Sequence, residues 1–337
     1  MVDLQTRYLG LTLKNPLVAS ASPLSRSLDS ARHLEDAGAA AIVMYSLFEE
    51  EILAEEQQYE RFMHNASLGH GEASDFLPRQ PDYQGSLDLY LQQLDALKSH
   101  LEIPVIASLN GISEEGWTDF GKELEQAGAD ALELNVYYLA TGLQEDAASV
   151  ERRYVDILTH LQDAVTIPVS VKLSSQFSSP VHLVNQLQQA GASAVVIFNR
   201  FYQSDINLES LEVEPHLQLS NRYESLLRIR WAAILRGVLD LDLAVTGGFH
   251  ESPEVIKALL SGANVVQLCS ALLQHGPDHI GRILADMTGW MQAHEYASVQ
   301  QLQGSLSYRN AADPGAYERE NYLSVLKSFA PPPGVRY

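Results

Sequence analysis

Four times in this chain a helical pattern ends on a glycine and an apolar run follows with no linker between them. The instances read EDAGAAAIVMYS, EQAGADALELN, QQAGASAVVIFN and LSGANVVQLCS, which place Gly38, Gly128, Gly191 and Gly262 just past each helix. Glycine suits that position because a chain leaving a helix commonly passes through a left-handed backbone conformation. Three further runs, IPVIASLNG, IPVSVKLSS and LDLAVTGG, are announced by a proline or an acidic residue. All these runs are short, continuous and apolar, without alternation. Strands covered on both faces look like this, as in parallel sheets.

Counted along the chain, the strands are Pro16–Ala21, Ala40–Met44, Val105–Leu109, Ala131–Asn135, Val169–Lys172, Ala194–Phe198, Leu243–Thr246 and Asn264–Leu268. Helical patterns fall near Ser27–Ala37, Leu87–His100, Glu114–Gln126, Ala147–Ala164, Val181–Gln189, Tyr223–Val238 and Pro253–Ser261. Eight strand–helix units predict an α/β fold, a (β/α)8 TIM barrel. The 337 residues are normal for such a barrel with insertions. An open doubly wound sheet is the alternative. The count of eight and the lack of a GxGxxG fingerprint after the first strand speak against it. Two connections, Leu47 to Ser86 and Arg200 to Arg222, are too long to be plain loops. They follow strands 2 and 6, which places them on the face where barrel enzymes work. The barrel is expected over residues 1–292. A tail over 293–337, containing SVQQLQGSLSYRN and ending in APPPGVRY, is expected to pack on the barrel or on a partner subunit.

The segment Leu243 to Pro277 joins the last two strands, each ending in small residues: Gly247 and Gly248, then Cys269 and Ser270. Two such ends side by side offer free backbone N–H groups to a phosphate, and barrels commonly build their phosphate site there. The formal charge of −21, from 43 acidic and 22 basic residues, argues against nucleic acid and against an anionic membrane surface as partners. A small anionic ligand remains compatible, because one or two basic side chains outweigh a distant field. The single cysteine, Cys269, excludes an internal disulfide and fits a reducing compartment. The N-terminus lacks a signal-peptide pattern, and no apolar run approaches the roughly 20 residues of a membrane span. The expectation is a soluble, cytoplasmic protein acting on a small molecule.

Several strand-end residues are candidates for chemistry. Lys172 closes the fifth strand and points either to solvent or into the barrel mouth, where it could stabilise negative charge on a bound ring. Asn135 and Asn199 close the fourth and sixth strands. Each is either a turn residue or half of a donor–acceptor pair for a planar heterocycle. Tyr137 and Tyr138 follow Asn135; aromatic packing is the plain reading, and acid–base work requires a phenol pKa well below about 10. The run Phe48–Glu56, FEEEILAEE, reads as a solvated helix face near the entrance. His275 and His279 lie four apart with no third ligand apparent, so no metal site is expected.

These segments together resemble the class 1 dihydroorotate dehydrogenases, soluble FMN-dependent (β/α)8 barrels of pyrimidine synthesis. The resemblance runs from the N-terminus to about Trp290. It is strongest in TGGFHESPEVIKALLSGANVVQLCSALLQHGP, which matches the family's TGGI, VQ-GTAL and GP elements almost position for position. It implies that Gly247, Gly248, Cys269 and Ser270 hold an FMN phosphate. NPLVASAS resembles the family's first strand, which places Ser20 and Ala21 by the flavin ring. VSVKLSS implies that Lys172 contacts the flavin, LELN gives Asn135 a flavin and substrate role, and Asn199 falls near the family's substrate-binding asparagine.

The departures concern the substrate half. The family's fourth-strand loop carries a Cys or Ser base, and here NVYYLA puts Tyr138 or a close neighbour in its place, with Ala140 where an Asn follows. The family's TKS lysine becomes Tyr45, a substrate-side position, while Ser46 is kept on the cofactor side. The Asn-rich substrate segment becomes SDFLPRQPDY. The resemblance therefore implies hydride transfer to flavin N5 with Lys172 and Tyr138 as catalytic residues. Dihydroorotate is one candidate substrate and a different one is the alternative. A non-catalytic flavin- or phosphate-binding barrel, and a phosphosugar isomerase, are the other readings. A homodimer is the oligomer that the resemblance implies.

Overall fold

Each of the eight apolar runs forms a strand, and the strands close into a ring in the computed structural model of the chain, which describes residues 2–55, 85–111, 117–319, 321–328 and 330. They are β1 (Leu17–Ala19), β2 (Ala41–Phe48), β3 (Val105–Asn110), β4 (Ala131–Asn135), β5 (Val169–Leu173), β6 (Ala194–Ile197), β7 (Asp242–Thr246) and β8 (Val265–Leu268). All pair in parallel, β8 returning to β1 through Val266–Leu17 and Leu268–Ala19. The segment SDFLPRQPDY and nearly all of APPPGVRY lie outside the described residues.

Helices α1 (Leu28–Asp36), α2 (Ser86–His100), α3 (Trp117–Gln126), α4 (Ala147–Ala164), α5 (Pro180–Gln189), α6 (Ser225–Val238) and α7 (Ser252–Ser261) surround the ring, with α8 (Ser270–His275) and α9 (His279–Ala293) after β8. Side chains alternate between two apolar layers. Val195, Ile197 and Val245 pack towards the helices, whereas Ala194, Val196 and Ala244 fill the barrel interior. Both faces are dry, so the strands show no polar alternation.

The four glycines terminate helices in the same way. Gly38, Gly128, Gly191 and Gly262 have φ of +108°, +93°, +100° and +122°. In each case the glycine N–H returns to the carbonyl three residues back. The next N–H returns to the carbonyl five residues back, as in Ala39 to Leu34 and Ala263 to Ala258. This double closure releases the chain straight into the following strand.

Three features go beyond the sequence expectation. Strand β2 runs to Phe48 rather than ending at Met44, because an irregularity between Val43 and Ser46 lets pairing with β3 continue. The acidic run after it is helical over 49–55, yet Glu49 and Ile52 are buried, so the helix has a packed face and is not wholly solvated. The third feature is a hairpin, Thr6–Tyr8 with Leu11–Leu13, that closes the N-terminal end of the barrel. Tyr8, Leu9 and Leu13 join the interior layer, Leu9 N–H donates to Asp242 at 2.9 Å and Thr6 Oγ1 donates to the Asn264 carbonyl at 2.9 Å. Burial raises the Asp242 carboxyl above its usual pKa, and burial followed by the Glu133 charge raises the Tyr8 phenol.

After β6 the long connection forms an exposed hairpin, Ser204–Asn207 with Glu212–Pro215. Beyond α9 the chain returns along α6 and α7. Gly304 and Leu306 N–H donate to the Leu259 and Leu260 carbonyls at 2.8 Å, and Tyr308 N–H donates to Ala233 at 3.0 Å.

Candidate active site

Glu133 in β4 and Gln267 in β8 are polar side chains buried inside the barrel, and Gln267 also lines its mouth. They connect four strands in one buried chain of hydrogen bonds. Ser20 Oγ donates to Gln267 Oε1 at 3.3 Å, Gln267 Nε2 donates to Glu133 Oε2 at 2.7 Å, and Lys172 Nζ donates to Glu133 Oε1 at 3.0 Å. Ser20, Gln267, Glu133 and Lys172 are at most 6% exposed. A charge buried so deeply is tolerated because its partner is charged and hydrogen-bonded too. Above this chain, Asn199 Nδ2 donates to Asn135 Oδ1 at 2.8 Å, tying β6 to β4 across β5.

The mouth opens into a cavity of about 300 Å³ at the C-terminal ends of the strands, at the small end of the range for ligand pockets. Of the sequence candidates, Ser20, Ala21, Lys172, Asn199, Gly247, Gly248, Cys269 and Ser270 line it. The lining also includes Gln267, Tyr202 and Ser220. One corner is built from the β7 and β8 ends. Gly247 and Gly248 have φ of +89° and +88°, and a Cβ on Gly248 would stand 2.3 Å from the Ser225 nitrogen. Ser220 Oγ accepts from Gly248 N–H at 3.1 Å and donates to Ser270 Oγ at 2.9 Å. The Ser220 N–H also donates to Ser270 Oγ, at 3.1 Å. Arg228 braces the corner from behind, its guanidinium donating to the Thr246 and Glu224 carbonyls at 3.0 and 2.9 Å. Burial lowers its pKa. Burial raises the Cys269 thiol, with Lys172 opposing, so the thiol stays protonated near neutrality.

The other candidates stand back from the cavity lining. Asn135 reaches it through Asn199. Ser46 Oγ lies 3.0 Å from Ser108 Oγ. Tyr45 packs edge-on against Tyr90, with ring centroids 4.9 Å apart, and carries the Arg26 guanidinium 4.5 Å above its own ring. Tyr138 donates its hydroxyl to Glu145, and its ring lies 4.1 Å from the Arg153 guanidinium, away from the cavity. Tyr137 turns the other way. Its hydroxyl accepts from Tyr202 N–H at 3.2 Å, and its ring packs 4.1 Å from Phe201.

Glu133, Gln267, Ser220, Tyr202 and Arg228 belong to this site although the sequence reading did not single them out. For Glu133 and Gln267 the signal was available, as a charged or amide residue inside LELN and VVQL. Ser220 sits in a polar loop where a serine carries no signal.

The family model for dihydroorotate dehydrogenase matches residues 82–291. A dihydroorotate dehydrogenase B (NAD(+)) catalytic subunit from Thermoplasma acidophilum is 22% identical, covering 90% of this chain and 99% of the relative. The corresponding subunit from Methanosarcina acetivorans is 27% identical, covering 88% and 93%. A chloroplastic dihydropyrimidine dehydrogenase (NADP(+)) from Arabidopsis thaliana is 20% identical, covering 91% and 78%. The family match spans the barrel from before α2 to within α9, which includes Glu133, Lys172, the two glycines and Gln267. This chain belongs to the dihydroorotate dehydrogenase family and is an oxidoreductase acting on CH–CH donors.

Proposed function

We propose that the chain is an FMN-dependent oxidoreductase that moves hydride between a carbon of a dihydropyrimidine-type ring and flavin N5. The observation that carries this reading is the meeting of two halves in one cavity. A two-glycine corner lined with serine hydroxyls stands at one end, and a buried lysine anchored by Glu133 stands at the other. The residues fit the cofactor. Gly247 and Gly248 leave out the Cβ atoms that would fill the corner, and Ser220 and Ser270 offer hydroxyls to a phosphate. Ser20, Ala21 and Lys172 lie where a flat ring would rest. FMN supplies the two-electron hydride chemistry when bound.

The protein's own groups set the conditions for that chemistry. Lys172 brings a positive charge to the mouth, in a buried setting where charge acts strongly. Glu133 and Gln267 fix its position. Asn135 and Asn199 hold each other, which orients their remaining donors and acceptors towards a planar substrate. The apolar interior below keeps water from the underside of the ring.

Dihydroorotate is the first substrate of this reading. A dihydropyrimidine without a carboxylate is the second. It is favoured by Tyr45, which stands where the family resemblance expects a lysine, and by the likeness to a dihydropyrimidine dehydrogenase. The test is anaerobic titration of the purified holoprotein with dihydroorotate and with dihydrouracil, following the visible flavin band. Bleaching by either assigns the substrate. A yellow protein that neither compound bleaches overturns the pyrimidine assignment, and a colourless protein overturns the flavin reading.

A further inference from the structure

We propose that Tyr202 is a catalytic residue whose phenol exchanges the proton that accompanies hydride transfer at the substrate. The proposal rests on the flavin reading above. Two loops reach the mouth with tyrosines. On the β4 loop, the Tyr138 hydroxyl is committed to Glu145 and its ring to Arg153, and neither faces the cavity. On the β6 loop, Tyr202 lines the cavity together with Lys172, Asn199 and Cys269.

The backbone that presents Tyr202 is fixed at three successive residues. Arg200 Nε donates to Glu224 at 3.1 Å, Phe201 packs against Tyr137, and the Tyr202 N–H donates to the Tyr137 hydroxyl. Tyr137 thus acts as a positioning residue that links the two loops. Among the described residues the Tyr202 hydroxyl itself makes no hydrogen bond. The residue is 61% exposed, which leaves it open to water at the mouth. Burial of its inner side raises the phenol pKa, with Lys172 and Arg200 opposing and Cys269 and Tyr137 adding to the rise. The phenol is therefore protonated at neutral pH, and it gives its proton only to a stronger base, such as the enolate that hydride addition leaves at the α-carbon. The lowered pKa asked of a tyrosine base is not needed in that direction.

The chemistry balances in the reducing direction. The substrate brings a ring C=C conjugated to a carbonyl. Bound FMN, once reduced, would supply the hydride that forms a C–H bond at the β-carbon. The Tyr202 O–H bond breaks, and its proton forms the second C–H bond at the adjacent α-carbon. The π bond would be consumed, the two electrons coming with the hydride, and the phenolate would take a proton from water at the mouth. A two-electron donor of the nicotinamide class reloads the flavin. Oxidation of the saturated ring would require the phenolate, which the raised pKa disfavours at neutral pH, so the assignment is to the reducing direction.

The test uses holoprotein of the wild type, Tyr202→Phe and Tyr138→Phe. In the first measurement the visible flavin spectrum is titrated from neutral to alkaline pH. The wild type and Tyr138→Phe are expected to show a band shift as a phenolate forms beside the ring, and Tyr202→Phe is expected to lose it. In the second, photoreduced flavin is mixed with orotate or uracil without oxygen, and re-oxidation by the active compound is expected to slow about 100-fold in Tyr202→Phe. A shift that survives in Tyr202→Phe, or disappears in Tyr138→Phe, overturns the proposal. A wild type that binds no flavin overturns the reading beneath it, and so the two failures are distinguishable.

Discussion

The ammonium of Lys172 lies 3.0 Å from a carboxylate oxygen of Glu133, and both side chains are almost wholly buried. Removing one partner leaves the other charge in the barrel without compensation. Lys172→Ala is therefore expected to cost about 3–5 kcal/mol of stability, while Lys172→Ala combined with Glu133→Gln recovers most of it. Urea unfolding of the three proteins measures this. The double variant should still reduce its flavin more slowly than the wild type. An unchanged rate would show that Lys172 is a structural ion-pair partner and not a ring contact.

Gly248→Ala tests the corner. The glycine has φ of +88° and a Cβ would stand 2.3 Å from backbone. Gly276, with φ of +80°, has open space around a Cβ and separates strain from clash. Gly276 also has ψ of 169°, a region kept almost to glycine, and alanine there should cost about 1–3 kcal/mol. Alanine at Gly248 should cost more and also weaken flavin retention, measured as bound flavin after dialysis. Equal stability and equal flavin content in the two variants would refute the close approach.

His250 gives a pH dependence with a definite sign. Burial lowers its pKa below the ordinary imidazole value, with His275 adding to the effect and Glu251 and Glu254 opposing it. Below about pH 6.5 the unfolded chain therefore binds more protons than the folded one, and stability falls as the pH drops through that value. Above it this contribution is constant. The urea midpoint of the wild type should fall more steeply than that of His250→Gln between about pH 7 and about pH 5. Parallel curves would sink the assignment.

Asn199→Ala removes the 2.8 Å bond to Asn135. A lost pairing of this kind is worth about 1–3 kcal/mol, which is about 5- to 150-fold if all of it falls on substrate binding. The expected outcome is a raised KM for the active pyrimidine with flavin content unchanged. Loss of flavin instead would move the asparagine pair to the cofactor side.

The barrel was legible because its local signals repeat. Gly38, Gly128, Gly191 and Gly262 mark four helix ends, and the dry strands that follow have no competing pattern. Tyr45 and Ser46 were read beyond the end of their strand, because an irregularity in pairing leaves no mark in composition. The N-terminal hairpin was missed because Leu9 takes a positive φ of +55° that no local motif announces. At the site, strand-end residues such as Lys172 and Asn199 follow from register alone. Tyr138 and Tyr202 do not. Both are tyrosines in loops, and only the three-dimensional path, through Glu145 for one and Tyr137 for the other, separates them.

The hairpin that carries Tyr8, Leu9 and Leu13 turns the barrel into a well with a floor. Among the described residues, a ligand at the strand ends has the mouth and not the floor as its way in. On the flavin reading proposed above, the substrate would meet the ring from the mouth side alone. On this architecture the number of ways into the barrel is set at the end farthest from its mouth.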